Sequence, residues 1–368
     1  TKMFCDSLND PDEKHPNVNV CPICMGHPGC LPVTNFEAVK KVILAGLALN
    51  CAIAKDTFFE RKNYFYPDLP KGYQISQYQK PFCENGYLDL QPTTNDQQPK
   101  RIRITRIHLE EDAGRLYHAT GNDPDASVPG VGSQALLGNS VGAGYSLVDF
   151  NRAGVPLMEL VTEPDFESGQ EVRKFAEELQ LIWKYLGVSD ADMEKGQMRV
   201  EVNISLKPKA LSLKPEKLGT KVEIKNLNSI KFAADAVDYE IKRQTELLEK
   251  GEKITQETRG WDENKKATFS QRSKEEAHDY RYFPEPDLPP LKFTDDEIEV
   301  IKAGMQELPS QRRVRFARYG LNPAQIEVFT VARHLGNYYE RVASELDSSA
   351  MDYHKKKATE RERRPSNE

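Results

Sequence analysis

Residues Arg101 to Arg115, RIRITRIHLEEDAGR, gather Arg106, His108, Glu110, Glu111 and Asp112 at the end of an alternating apolar run. A period of two places Ile102, Ile104, Arg106, His108 and Glu110 on one face of a strand, with Arg103, Thr105, Ile107, Leu109 and Glu111 on the other. Three consecutive acids are a poor way to build a core. They suit a hard divalent cation such as Mg²⁺, with Arg and Lys nearby to neutralise phosphate, and they equally suit a solvated acidic hairpin tip.

Two further strands carry polar faces of the same kind. Met198 to Leu206 alternates so that Arg199, Glu201, Asn203 and Ser205 share a face, and Lys221 to Ser229 does the same with Lys221, Glu223 and Lys225. Such strands bury Val, Ile or Leu on one side and could line a cleft with the other. Glu159 interrupts the apolar run LMELV, where an unpaired carboxylate is costly to bury, so it turns to water or meets a cation. A Cys21-x-x-Cys24 pair with Cys5 upstream resembles part of a zinc site. Ser7 stands where a second upstream thiol would complete four, leaving His15, His27 or Cys30 as the remaining candidates.

The elements that must position these residues follow from periodicity. An amphipathic helix is expected over 35–54 after an Asn35 cap, another over 167–186 ended by Gly187, and a third over 231–250. Aromatics interleave with Arg61, Lys62 and Lys71 between Phe58 and Tyr78, a mixture that can grip phosphate and stack on a base or can pack on a sheet. Strand, turn and strand are expected over 146–162 with the turn at Ala153-Gly154. The prolines at 284, 286, 289 and 290 make 279–290 a stiff irregular segment presenting Arg281, Glu285 and Asp287. Residues 119–144 form a Gly-rich loop without a phosphate-binding GxxxxGK[ST] pattern.

At 368 residues the chain exceeds one ordinary core. Hydrophobic content of 38%, mean hydropathy of −0.67 and a net charge of −6 fit a cytoplasmic protein, and no apolar run is long enough for a membrane helix. The opening Thr1-Lys2-Met3 has no initiator Met, so an upstream segment is expected.

FCDS…CPICMGHPG, RKNYFYPDLPKGYQISQ, TRIHLEEDAG, NRAGVPLMELVTEPD, KVEIKNLNS, QETRGWDE and DYRYFPEPDLPP occur together and in order. On these motifs the chain closely resembles the B-subunit family of the aspartyl/glutamyl-tRNA amidotransferases, from residue 1 to about 330. The related archaeal E subunit shares many of them but usually carries a large inserted domain, and nothing of that size is present. The resemblance implies an α+β fold. A catalytic cradle of the glutamine synthetase and guanido kinase type, with an antiparallel sheet, would span 1–292 and lack the family's N-terminal strand with its Glu-x-His pair. A smaller all-α domain would begin at 293–347, and 348–368 would be a charged disordered end.

The implied activity is that of a ligase forming a carbon–nitrogen bond. ATP phosphorylates the side-chain carboxylate of Glu-tRNA(Gln) or Asp-tRNA(Asn), and ammonia from a partner amidase displaces phosphate. Glu111 and Glu223 fall on the family's Mg²⁺ positions, with Glu159, Glu201 and His108 near the site. Lys221, Lys225, Arg281, Arg61 and Lys62 are the implied phosphate or acceptor-stem contacts. ATP and Mg²⁺ are the implied cofactors, with Zn²⁺ at Cys5, Cys21 and Cys24 incomplete. The implied partners are an amidase-type A subunit, the small C subunit and misacylated tRNA, without a membrane. A non-catalytic tRNA-binding scaffold and a small-molecule ATP-dependent ligase on the same fold are the rival readings.

Overall fold

The computed structural model describes residues 1–91, 98–119, 145–206, 218–273 and 280–346. Most of the Gly-rich loop 119–144 and the charged end 348–368 lie outside them. Two compact units divide the chain, Thr1–Met305 and Gln306–Glu368.

The first unit begins its regular structure with α1 (Phe36–Ala48), then β1 (Ala52–Ile53), β2 (Asp56–Thr57), β3 (Glu60–Asn63) and β4 (Tyr73–Ser76). The long strands β5 (Cys83–Leu90) and β6 (Lys100–Glu111) follow, with β7 (Arg115–Ala119), β8 (Tyr145–Asp149) and β9 (Pro156–Thr162). Next come α2 (Gly169–Leu186), β10 (Val200–Ile204), β11 (Val222–Leu227) and α3 (Ile230–Glu249). The unit closes with β12 (Glu257–Asp262), β13 (Ala267–Ser273), β14 (Arg281–Pro284), β15 (Leu291–Lys292) and α4 (Asp295–Ala303). The second unit holds α5 (Pro309–Ala317), α6 (Pro323–Val331) and α7 over 333–346. Helix α4, expected in the helical part, belongs to the first unit.

The helices form where their caps and apolar stripes dictate. Asn35 accepts from the Glu37 and Ala38 amides, Ser168 from Glu171 and Ser229 from Phe232, each satisfying an otherwise orphaned N–H. Phe175, Leu179, Ile182 and Leu186 bury one face of α2, each contributing roughly 1.5–3 kcal/mol. Gly187 ends that helix at φ +64, which a side chain would strain. Gly46 lets α1 lie directly on β5, since a Cβ there would collide with the Cys83 sulfur.

The first unit is a mixed α/β assembly built from several sheets. One has the order β1-β5-β6-β9, with every neighbour antiparallel. Another has the order β10-β11-β12-β13, and its β11–β12 pair is parallel. The parallel pair departs from the expected wholly antiparallel sheet because α3 provides the crossover that parallel neighbours need. Val202, Ile224, Leu227, Ala233, Ala236, Val237 and Trp261 form the core between this sheet and α3. A third sheet, β14-β3-β4, takes in part of the segment expected to be irregular. Pro284 is tolerated because β14 is an edge strand and its missing donor falls at the last paired position, opposite Glu60.

Candidate active-site cleft

Strand β6 does not keep one phase along its length. Its register to β9 shifts between Ile104 and Arg106, so Ile102 and Ile104 are buried before the irregularity and Ile107 and Leu109 after it. The expected face of Ile102, Ile104, Arg106, His108 and Glu110 is therefore split, and Arg106, His108 and Glu110 alternate with core residues.

His108 pairs across the sheet with Glu159, its Nε2 lying 3.7 Å from a Glu159 oxygen and 3.9 Å from a Glu110 oxygen. Ser76 Oγ donates to Glu110 at 3.2 Å. His108 and Glu110 are buried, while the Glu159 side chain is half exposed. Burial, reinforced by the nearby Glu159 charge, pushes the Glu110 carboxyl up to about 7. Burial, together with the Arg106 and Lys62 charges, pulls His108 down to about 3, so its ring is neutral near pH 7. Its Nδ1 is buried and makes no hydrogen bond. One donor atom from each of His108, Glu110 and Glu159 lies within 4.8 Å of the others, which is a spacing that suits a shared cation.

Glu111 points elsewhere. Both of its oxygens are engaged by Lys71, at 2.6 Å for one, and the Ile75 amide donates at 2.9 Å. Asp112 receives Arg152 Nε at 3.1 Å and Arg199 at 3.0 Å, and Arg152 also donates to the Ala113 and Gly114 carbonyls.

A cleft of about 1790 Å³ runs between β9 and β10, lined by Glu110, Glu159, Glu201, Lys62, Arg199, Lys221 and Lys225 among others. Lys225 Nζ stands 3.6 Å from both Glu201 and Glu223, and Thr258 Oγ1 donates to Glu223 at 2.9 Å. His108, Glu111 and Glu223 lie outside the residues that line the cleft. Arg61 and Arg281 also do. Arg61 is held in a bidentate pair with Glu285 at 2.7 Å, reaches Asp287 at 3.1 Å and stacks on Tyr73. Its fork is already filled by carboxylates, whereas Lys62 has no carboxylate within 4 Å among the described residues and lies against two rings, Tyr280 at 4.7 Å and Tyr64 at 5.8 Å, with its charge acting on His108 and Glu110.

The sulfurs of Cys5, Cys21 and Cys24 lie within 4.8 Å of one another. Cys24 Sγ accepts from the Cys21 amide at 3.2 Å and from the buried Lys2 ammonium at 3.5 Å, with Ser7 Oγ 3.9 Å away. A hydrogen bond from Cys5, aided by the Cys21 amide and the Lys2 charge, holds Cys24 down to about 4, and the same bond with burial keeps Cys5 well above the ordinary thiol range. Three sulfurs are one short of the four ligands a structural zinc takes, and an ammonium already sits against one of them. Cys30 is exposed, and His15 pairs with Glu13 at 3.0 Å.

Sequence reasoning named Glu110 as a strand-end acid without placing it at the site, named Lys71 and Arg199 without their carboxylate partners Glu111 and Asp112, and gave Arg152 no role. The signal for Glu110 was its spacing of two from His108. The lysine and arginine contacts had no local signal.

A profile of the GatB/GatE catalytic domain matches residues 1–299. The chain belongs to this family. The B subunit of the aspartyl/glutamyl-tRNA(Asn/Gln) amidotransferase of Carboxydothermus hydrogenoformans is 49% identical over 344 residues, covering 93% of this chain and 66% of that relative. The protein of the same name from Gloeothece citriformis is 48% identical, covering 92% of this chain and 65% of the relative. That from Persephonella marina is 49% identical over 345 residues, covering 94% and 66%. The chain thus spans just under two thirds of the length of these GatB/GatE relatives. Among the described residues, no helix is long and apolar enough to cross a membrane.

Proposed function

We propose that this chain is the kinase and amidation part of a tRNA-dependent amidotransferase, acting in the cytoplasm with an amidase-type A subunit and the small C subunit. Its substrate is the side-chain carboxylate of Glu-tRNA(Gln) or Asp-tRNA(Asn). Displacing oxide from a carboxylate is prohibitive, so ATP first converts it to an acyl phosphate, and ammonia then forms the amide as phosphate leaves. The fold that serves this is a cradle of the glutamine synthetase and guanido kinase type. What supports the reading most is one observation: a large cleft sets Glu110, Glu159 and Glu201 among Lys62, Arg199, Lys221 and Lys225.

Phosphoryl transfer asks a protein mainly for positioning and charge neutralisation. Lys221 and Lys225 on one wall and Lys62 on another are placed to hold phosphate oxygens. Arg199 is fixed by Asp112, so its planar fork is oriented before substrate arrives. Glu110 and Glu159, with His108 behind them, suit Mg²⁺ as a donor set, since they are close, oxygen-rich and without a cation partner within 4 Å among the described residues. Glu111 and Glu223 are the further carboxylates of this proposal, each now neutralised by a lysine, Lys71 and Lys225. The chemistry Mg²⁺ would supply when held by these carboxylates is charge neutralisation of phosphate oxygens. Arg61 is a scaffold residue in this account, tying β3 to the loop after β14.

The test is Mg²⁺-dependent ATP cleavage by the assembled complex, stimulated by misacylated tRNA. Glu111→Gln or Glu223→Gln in the full-length protein should abolish amidation and leave tRNA affinity within a few fold. Turnover with free glutamate and no tRNA would instead favour a small-molecule ligase, and tRNA binding without ATP cleavage would favour a scaffold.

A further inference from the structure

Four tyrosines and Arg106 border the acidic cluster without being used by the chemistry described above, and the phosphate-binding Lys62 stands among them. Tyr78 and Tyr282 stack with ring centres 4.9 Å apart and planes 23° from parallel, and Tyr64 meets Tyr280 edge-on at 5.6 Å. Tyr282 lies directly across from Lys62 in the β14–β3 pair. Lys62 Nζ is 4.7 Å from the Tyr280 ring centre, and the Arg106 guanidinium is 5.6 Å from that of Tyr78. Tyr78 remains 56% exposed and Tyr280 39% exposed, so these rings are not simply core. Arg106 Nε is shielded from water yet has no hydrogen-bond partner.

Position ties this patch to the cleft. Lys62 lines the cleft, and the charges of Lys62 and Arg106 both act on His108. Half-exposed rings flanked by cations are what successive bases and phosphates of a single strand require, because every base has a face to stack and each phosphate a charge to neutralise. Tyr280 and Tyr282 are two residues apart on one extended segment, about 7 Å, which makes two platforms and not one. A mononucleotide has a single base and would leave one platform empty.

We propose that the Tyr78–Tyr282 pair and Tyr280, with Lys62 and Arg106, hold the single-stranded 3′ end of the aminoacylated tRNA, directing its aminoacyl group toward His108, Glu110 and Glu159. This rests on the reading of aminoacyl-tRNA as substrate. Bases stack on the two platforms, Lys62 meets a phosphate between them, and Arg106 closes the end nearest the carboxylates.

The experiment uses the reconstituted complex and tRNA carrying 2-aminopurine in place of its 3′-terminal adenosine. Wild-type complex should quench the probe on binding. Tyr78→Ala and Tyr282→Ala should each lose most of the quenching and weaken tRNA binding about ten-fold, Tyr→Phe at either position should restore both, and ATP affinity should stay unchanged. Lys62→Met, which removes a half-buried charge and keeps most of the side chain's packing, should flatten the salt dependence of log affinity by about 0.7 even if an alanine variant folds poorly. Unaltered quenching in the alanine variants and an unaltered salt slope would overturn the platform while leaving the substrate reading intact. Weakened ATP binding with normal tRNA binding would make the site a mononucleotide pocket and also overturn it. A wild-type complex that binds no tRNA would remove the substrate reading and the platform together.

Discussion

Glu240 on α3 and Glu110 at the end of β6 are both buried carboxylates, and their surroundings could hardly differ more. Glu240 has no exposed surface and receives Arg243 at 2.8 Å on each oxygen, Gln244 at 3.0 Å, the Thr268 hydroxyl at 2.5 Å and Arg259 at 3.2 Å. Burial works to raise its carboxyl, but those hydrogen bonds and the Arg243 charge outweigh it and leave the group below its ordinary value. Glu110 has one hydroxyl donor, a neutral imidazole, a second carboxylate and, beyond ion-pair distance, the Lys62 charge, which together do not offset its burial. The first arrangement joins α3 to β12 and β13. The second leaves negative charge unbalanced at the edge of a cleft, which a folded protein tolerates where a ligand will complete it.

Removing the saturated carboxylate should do the greater damage. Glu240→Ala removes the carboxylate of Arg243 and leaves Arg259 with Glu257, and the expected loss is about 3–5 kcal/mol of unfolding free energy in urea above pH 4.5, diminishing as pH falls through the lowered folded value. A loss below about 1 kcal/mol would show that water replaces the carboxylate and that the contrast is overdrawn.

Glu110→Gln should act in the opposite direction and only over a defined pH range. A carboxyl raised from 4.5 to about 7 on folding contributes no penalty below pH 4.5, where it is protonated in both states. Between pH 4.5 and about 7 the unfolded chain ionises while the folded protein keeps the proton, so the penalty grows across that window and levels off above it. In Mg²⁺-free buffer the glutamine variant should therefore match wild type near pH 4.5 and exceed it by up to about 3 kcal/mol at pH 8. His108, pulled down to about 3, has the reverse sign, since its contribution is complete above 6.5 and falls away as pH drops toward 3. His108→Gln should consequently flatten the acid side of the wild-type stability curve.

The smallest effect is expected where charges pair in water. Arg101 and Asp89 form a bidentate pair at 2.8 and 2.9 Å on the exposed ends of β6 and β5. Arg101→Gln should leave the thermal midpoint unchanged within measurement, because solvent screens such pairs. A clear drop would mean that geometry alone, without burial, decides which ion pairs matter here.

How far the sequence foretold this comparison depends on the range of the contacts. Periodicity alone located α2, α3, β10 and β11, and the sides that α2, β10 and β11 bury, because those patterns are local. The break in β6 was not legible, since nothing in RIRITRIHLEE marks an extra residue that only the pairing with β9 reveals. Nor was the engagement of Glu111 by Lys71, 40 residues away, or of Arg61 by Glu285, 224 residues away. Identical chemistry in the sequence, acid beside acid in Glu110-Glu111, is separated by tertiary contacts into one group held by a lysine and one with no lysine or arginine within 4 Å among the described residues.

The claim that Glu110 belongs to a cation site is tested most directly by metal binding to this chain. Mn²⁺, which shares the oxygen preference of Mg²⁺, can be titrated and followed by electron paramagnetic resonance. The account predicts that wild type binds it, that the Glu110→Gln/Glu159→Gln variant loses at least about ten-fold in affinity, and that exposed-pair variants such as Arg101→Gln do not. Equal affinity in wild type and the double variant, with both folded, would contradict it.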